Sequence, residues 1–177
     1  TAARPALDAL PERRWHCALP SPPTVWQSDG VRLVVGTQSG EVVAIDQEGN
    51  TAWTAHGDTS ITALTQVGRD TIAGTASGEV LRFDAQGQLC WRQRCAFRPE
   101  RTFWPWWFLA TPMIASIAAG RDPRSGQEIV AVGTGSTSVN FLDGETGTAQ
   151  ADRISEYGLP DQILARLDPQ QERLFFF

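Results

Sequence analysis

Helical periodicity is missing from this chain: nowhere do apolar residues persist at the 3.6-residue spacing of an amphipathic helix. That excludes the helical repeat arrays. No run approaches the roughly 18 apolar residues of a membrane-spanning helix. Cysteine is scarce, at 3 in 177 residues. An odd count makes no disulfide framework and leaves the redox compartment open. The two histidines, His16 and His56, have no further ligand in the sequence to complete a zinc site. A basic excess is missing too. The net charge of −5 argues against a phosphate-binding surface, so no nucleic-acid partner is expected. The chain opens on Thr1 without a basic-then-apolar leader, so a signal peptide is expected to be absent or already removed.

What the chain does have is a repeat. Gly36-Thr37-Gln38-Ser39-Gly40-Glu41-Val42 returns as Gly74-Thr75-Ala76-Ser77-Gly78-Glu79-Val80, and the match runs on through Asp46/Asp84 and Gly49/Gly87 to Trp53/Trp91. Nine of eighteen aligned positions are identical at a constant offset of 38 residues, a period that means stacked supersecondary units. Within a unit, short β-branched runs at 24–27, 31–36, 41–46 and 51–53 are separated by turn residues such as Asp29-Gly30. The next unit repeats them at 61–65, 71–74, 79–84 and 89–91. Four short antiparallel strands every 38 residues predict an all-β fold, a β-propeller.

The same offset organises the ends. Ala6, Asp8 and Trp15 align with Ala44, Asp46 and Trp53, so 1–15 reads as the end of a blade. Blades follow at 16–53, 54–91 and 92–150, and 151–177 reads as the start of another, with strands at 163–167 and 174–177. The expectation is about three complete blades plus partial blades at both ends. They form either a window on a longer propeller or a small ring closed by its two terminal parts. The third blade carries a 21-residue insertion, placed between Trp91 and a strand at 113–118.

The consensus Gly-Thr-x-Ser-Gly-Glu-Val, then Asp, Gly and Trp, resembles the repeats of PQQ-like β-propellers. That family includes quinoprotein alcohol dehydrogenases and non-enzymatic members, and the resemblance here is closer in character to the latter. It implies that Ala44, Asp46, Gly49 and Trp53 form a docking motif between blades, matched by Asp84, Gly87 and Trp91 with Arg82 in place of the alanine. Gly36, Gly74 and Trp15 belong to the same structural set. Only Asp143-Gly144-Glu145-Thr146-Gly147 keeps the family's longer turn. The resemblance favours a bacterial protein of periplasmic or extracellular setting. The enzymes bind PQQ under adjacent cysteines, which this sequence lacks, so no PQQ is expected. A second resemblance, of 117–130 to the calcium loops of integrin-type propellers, keeps only Asp122 and Glu128 among the carboxylates. Arg121 and Arg124 put positive charge where the ion would sit, so calcium is not expected either.

The feature that breaks the repeat is the aromatic insertion, with Phe103, Trp104, Trp106, Trp107 and Phe108 beside Arg101. Strand alternation puts it at the end that carries the turns at 37–39, 75–77 and 135–137. Aromatic rings rimmed by arginine suit sugars or protein partners, and they equally suit the plugging of an apolar gap. The remaining motifs read as structure. Gly133-Thr134-Gly135-Ser136-Thr137-Ser138 lacks the lysine and following helix of a phosphate loop, and Cys90 reads as a buried apolar thiol. No metal ligand set and no catalytic residue are assigned. The leading reading is a non-catalytic binding or scaffold module with a protein or carbohydrate ligand, in contact with further blades of the same protein. The alternative is the repeat module of a larger enzyme, a quinoprotein-type oxidoreductase or a polysaccharide-processing protein.

Overall fold

The computed structural model describes residues 15–97, 111–136, 138–154, 163, 165–168 and 173–176. These form three four-stranded antiparallel sheets and one hairpin, each sheet in simple sequential order. Blade 1 is β1 (Pro23–Ser28), β2 (Leu33–Thr37), β3 (Glu41–Ile45) and β4 (Thr51–His56). Blade 2 is β5 (Ile61–Val67), β6 (Asp70–Thr75), β7 (Glu79–Phe83) and β8 (Leu89–Arg94). Blade 3 is β9 (Ile114–Arg121), β10 (Glu128–Thr134), β11 (Ser138–Asp143) and β12 (Ala149–Ile154). The hairpin is β13 (Ala165–Asp168) and β14 (Arg173–Phe176). Among the described residues no helix is long and apolar enough to cross a membrane.

The burial pattern explains why these sequences form sheets. The second and third strands of blades 1 and 2 are buried on both faces, as their unbroken runs Val34-Val35 and Val42-Val43-Ala44-Ile45 require. The fourth strands β4 and β8 are mostly exposed. First strands lie side by side, β1 against β5, β5 against β9 and β9 against β13, which sets the order of the blades about a common axis. Between the sheets run two apolar layers. Val34, Val42, Ala44, Ile61, Ala73, Leu81 and Phe83 fill the joint of blades 1 and 2. Ile72, Val80, Trp91, Ile114, Val130, Val132 and Leu142 fill that of blades 2 and 3. Ile61 and Ile114 are fully buried, and each contributes about 1.5–3 kcal/mol by leaving water.

Two details recur in register. Each first strand skips a residue in its pairing, at Thr24, Thr62 and Ala115. The Thr24 hydroxyl donates toward Gly36 O (3.1 Å) and toward Ile61 O of the next blade (2.5 Å). Thr62 does the same toward Gly74 O (3.3 Å) and Ile114 O (2.6 Å). The glycines opposite are close-approach positions: a Cβ on Gly36 would lie within 2.9 Å of Ile61 side-chain atoms of the next blade. Fourth strands skip at Ala52, Cys90 and Gln150.

Four expectations change. The extra residues of blade 3 are not one insertion of 21. Ile61 and Ile114 are equivalent by their pairing, an offset of 53, while Gly74 and Gly133 are 59 apart. So 15 residues (53 − 38) precede β9, and 6 (59 − 53) lengthen the β9–β10 hairpin. Cys90 is exposed and Cys95 is the buried thiol, because the β8 bulge turns Cys90 outward and Trp91 inward. β12 has no counterpart in the sequence pattern, since Ala151 stands where Trp53 and Trp91 stand. The blade boundary at Trp53 falls inside β4, one sheet strand continuing to His56.

Candidate functional site

The repeat motif assembles the joints. Asp46 and Asp84 close their turns by accepting backbone N–H groups, Asn50 N at 2.7 Å and Gln88 N at 2.8 Å. The glycine that follows takes a positive φ, +81° at Gly87, a conformation that favours a residue without Cβ. It also leaves room for a ring from the preceding blade. A Cβ on Gly87 would meet the Trp53 indole at 2.7 Å. Gly49 holds the same relation to Trp15, and Gly147 to Trp91. Each tryptophan thus lies on the turn glycine of the next blade.

Arg82, at the alanine position of the motif, is the centre of a buried ion network. It reaches Asp70 of its own blade at 2.7 Å and Glu128 of blade 3 at 2.5 Å, and donates to Gly144 O. Arg121 adds a longer contact to Glu128 at 3.4 Å. Burial works against the charge of Arg82, but Asp70 and Glu128 outweigh it and raise its pKa above the ordinary range. Gly144 O also accepts the Trp91 indole N–H at 2.8 Å. The sequence signal for this network was Arg82 itself, with acids at Asp70 and Glu128 one strand away on either side of the joint.

Those contacts also show where the two calcium-loop carboxylates lie. Glu128 is committed to arginines. Asp122 closes the β9–β10 hairpin by accepting Arg124 N and the Ser125 hydroxyl, both at 3.0 Å, and the first of these holds its pKa low. Among the described residues no group of three or more His, Cys, Asp or Glu side chains comes together. His16 and His56 are both exposed. Burial pushes the Cys95 thiol up to about 12.

The Thr-x-Ser turns gather at one end. Thr37 donates to Glu41, whose carboxyl it holds below the usual range. Thr75 lies 3.0 Å from Ser77, and Thr134 lies 2.7 Å from Ser136. The chain enters and leaves the aromatic insertion here. Cys95 N donates to Gly78 O at 3.0 Å, and Thr111 N donates to Gly135 O at 2.8 Å. Arg101, Phe103, Trp104, Trp106, Trp107 and Phe108 themselves lie outside the described residues. Beside Cys95, a groove of about 320 Å³ separates the blades, lined by Gln93, Arg94, Cys95, Ala96, Asn140 and Leu142 among others.

Four-stranded antiparallel blades whose first strands are neighbours, locked by a tryptophan on a turn glycine, define a β-propeller. Known structures agree. The chain is similar to BamB from Moraxella catarrhalis, with 23% identity and a TM-score of 0.56 over 80% of this chain. It spans only 40% of the length of that BamB chain. The computationally designed Ika4 protein is similar at 15% identity and a TM-score of 0.58, over 90% of this chain and 92% of its own. At these identities the likeness is one of fold. No protein-family model matches the chain, and no curated protein matches it.

Proposed function

We propose that this chain is a non-catalytic module of the PQQ-like repeat type that binds a partner protein through the end carrying the aromatic insertion. The observation that carries this reading is the anchoring of both ends of the insertion. Cys95 and Thr111 are fixed to the turns of adjacent blades, on the end that also bears the Thr-x-Ser turns. A sequence of five aromatic residues in six positions, tethered at two points, supplies the aromatic anchors that dominate protein interfaces. The likeness in fold to BamB supports the propeller frame on which this reading rests. The two calcium-loop carboxylates are engaged otherwise, Glu128 in ion pairs and Asp122 in its turn.

The test is photo-crosslinking in the source cells from a benzoylphenylalanine placed at Trp106 in the full chain. The expected product is a discrete adduct with a second protein, lost when Trp104 and Trp107 are replaced by alanine while the thermal midpoint holds. Crosslinks confined to the chain itself, with a lowered midpoint in the alanine variant, would mean that the rings serve packing.

A further inference from the structure

The joints between blades 1 and 2 and between blades 2 and 3 use equivalent positions, and three of these exchange their charge. At the second joint Arg82 lies between Asp70 and Glu128. Counting back 38 residues from Asp70 and Arg82, and 59 from Glu128, gives Arg32, Ala44 and Arg69. Acid, arginine, acid has become arginine, alanine, arginine. Ala44 is fully buried and fills little of the space an arginine takes. Where the β1–β2, β5–β6 and β7–β8 turns of the two blades meet lies a pocket of about 460 Å³, walled by Asp29, Val31, Arg32, Arg69, Ala85 and Gln86.

The uncharged polar atoms of this joint tell the same story. Trp91 gives its indole N–H to Gly144 O, but Trp53 Nε1 is buried with no hydrogen-bond partner. The turn it faces, Asp84 to Gly87, is one residue shorter than Asp143 to Gly147, and its Ala85 and Gln86 stand in the pocket wall. Gln66 and Thr71 are paired across β5 and β6, on the face whose Ala73 and Phe83 pack against blade 1. Gln66 Nε2 and Oε1 and Thr71 Oγ1 are also buried without partners. Their counterparts at the second joint are the apolar Ala119 and Val130. Buried donors without acceptors are costly and rare in folded proteins. Asp29 is the one carboxylate in the pocket wall among the described residues. It already accepts Val31 N at 2.8 Å and Arg32 N at 2.7 Å, with Arg32 Nη2 at 4.0 Å.

We propose that the pocket between blades 1 and 2 binds a small oxyanion, a carboxylate or a tetrahedral group of the sulfate or phosphate type. The ion lies between Arg32 and Arg69, and one of its oxygens takes the Trp53 indole N–H as Gly144 O takes that of Trp91. One Arg32 nitrogen donates to Arg69 O at 2.7 Å, which fixes the guanidinium across the joint and leaves the rest of its donor fork for a ligand. The second joint carries its anions as side chains; the first recruits one from solution.

The test follows the indole N–H resonances of the ¹⁵N-labelled full chain, with those of Trp53 and Trp91 assigned from Trp53→Phe and Trp91→Phe. Sodium sulfate and sodium acetate are titrated separately at constant ionic strength against sodium chloride. A saturable shift of the Trp53 resonance with either anion, and none at Trp91, is expected; which anion saturates first separates the tetrahedral from the carboxylate class. Arg69→Gln, an exposed substitution that spares folding, should weaken binding about tenfold or more. Ala44→Arg should abolish it by putting a side chain in the pocket. No saturable shift with either anion, or unchanged affinity in Arg69→Gln, overturns the proposal.

Discussion

At its Arg82 end the joint between blades 2 and 3 is closed by its own ions, whereas the joint between blades 1 and 2 is apolar at its centre and polar without partners at that end. Both rest on the same frame: a tryptophan on a turn glycine and a threonine hydroxyl that spans two first strands. The difference teaches how a repeat protein divides its labour. Residues that recur at every offset set geometry, and each interface then adds a nearly independent term to stability. Residues that change at one offset decide what the interface can hold. Arg82 against Ala44 is such a change, and it separates a structural lock from a candidate ligand pocket.

The sharpest way to break that comparison is to remove Glu128. Its side chain is 2% exposed and that of Arg82 12%, so Glu128→Ala leaves a buried guanidinium with Asp70 as its remaining close carboxylate. Breaking a buried pair from one side costs about 3–5 kcal/mol. The mirror change, Arg69→Ala, removes an exposed side chain and should cost no more than about 0.5 kcal/mol. Urea unfolding of both variants checks the pair. Equal losses would mean that the two joints do not differ in the way their charges imply.

Much of this frame was legible in the sequence, and the reason is physical. Asp, Gly and Trp recur because the turn needs a backbone acceptor and a residue without Cβ, and the joint needs a large ring. Three residue types at fixed offsets therefore gave the strand order and the phase of blades 1 and 2. Legibility failed where a residue's role depends on its neighbour across a joint. Cys90 looked apolar and buried, but a bulge reverses its side. β12 was silent because Ala151 carries no ring. The lengthened β9–β10 hairpin was hidden inside a single count of inserted residues. Arg82 was visible as an exception to the motif, but its meaning needed Asp70 and Glu128, which lie on other strands and in another blade. The aromatic insertion, the first candidate for binding, lies outside the described residues.

A smaller effect sharpens the comparison at the tryptophans. Trp91→Phe removes the hydrogen bond to Gly144 O, worth about 1 kcal/mol net, beyond whatever the smaller ring loses in contact. Trp53→Phe removes the same atoms from a less buried ring and no hydrogen bond within the protein, since its indole nitrogen has no partner there. Both terms act in the same direction, so unfolding in buffers free of oxyanions should show Trp91→Phe the less stable by at least that amount. Adding sulfate or acetate should then destabilise Trp53→Phe relative to wild type, because only the wild type keeps the donor for a bound anion. A difference between the variants that ignores the anion would confine the comparison to the ion network.

The smallest effect concerns the long turn itself. Asp143 accepts the Gln127 amide at 3.0 Å and backbone N–H groups of Glu145 and Thr146. The Gln127 bond and then the Thr146 N–H hold its pKa below the ordinary value. A carboxyl depressed in the folded state stabilises at full strength above its unfolded pKa, about 3.9, and that contribution fades as pH falls through the lower folded value. Because the group is partly exposed and screened by solvent, it is worth about 0.5 kcal/mol or less. Asp143→Asn keeps the shape and one acceptor oxygen but removes the charge. Its deficit against wild type should be present at pH 6 and close progressively below pH 4, read as the gap between urea midpoints. A gap constant from pH 6 to pH 2 would assign the turn's strength to shape rather than charge. The carbonyl of Gly144, which receives both Trp91 and Arg82, would then be held by the extra turn residue alone.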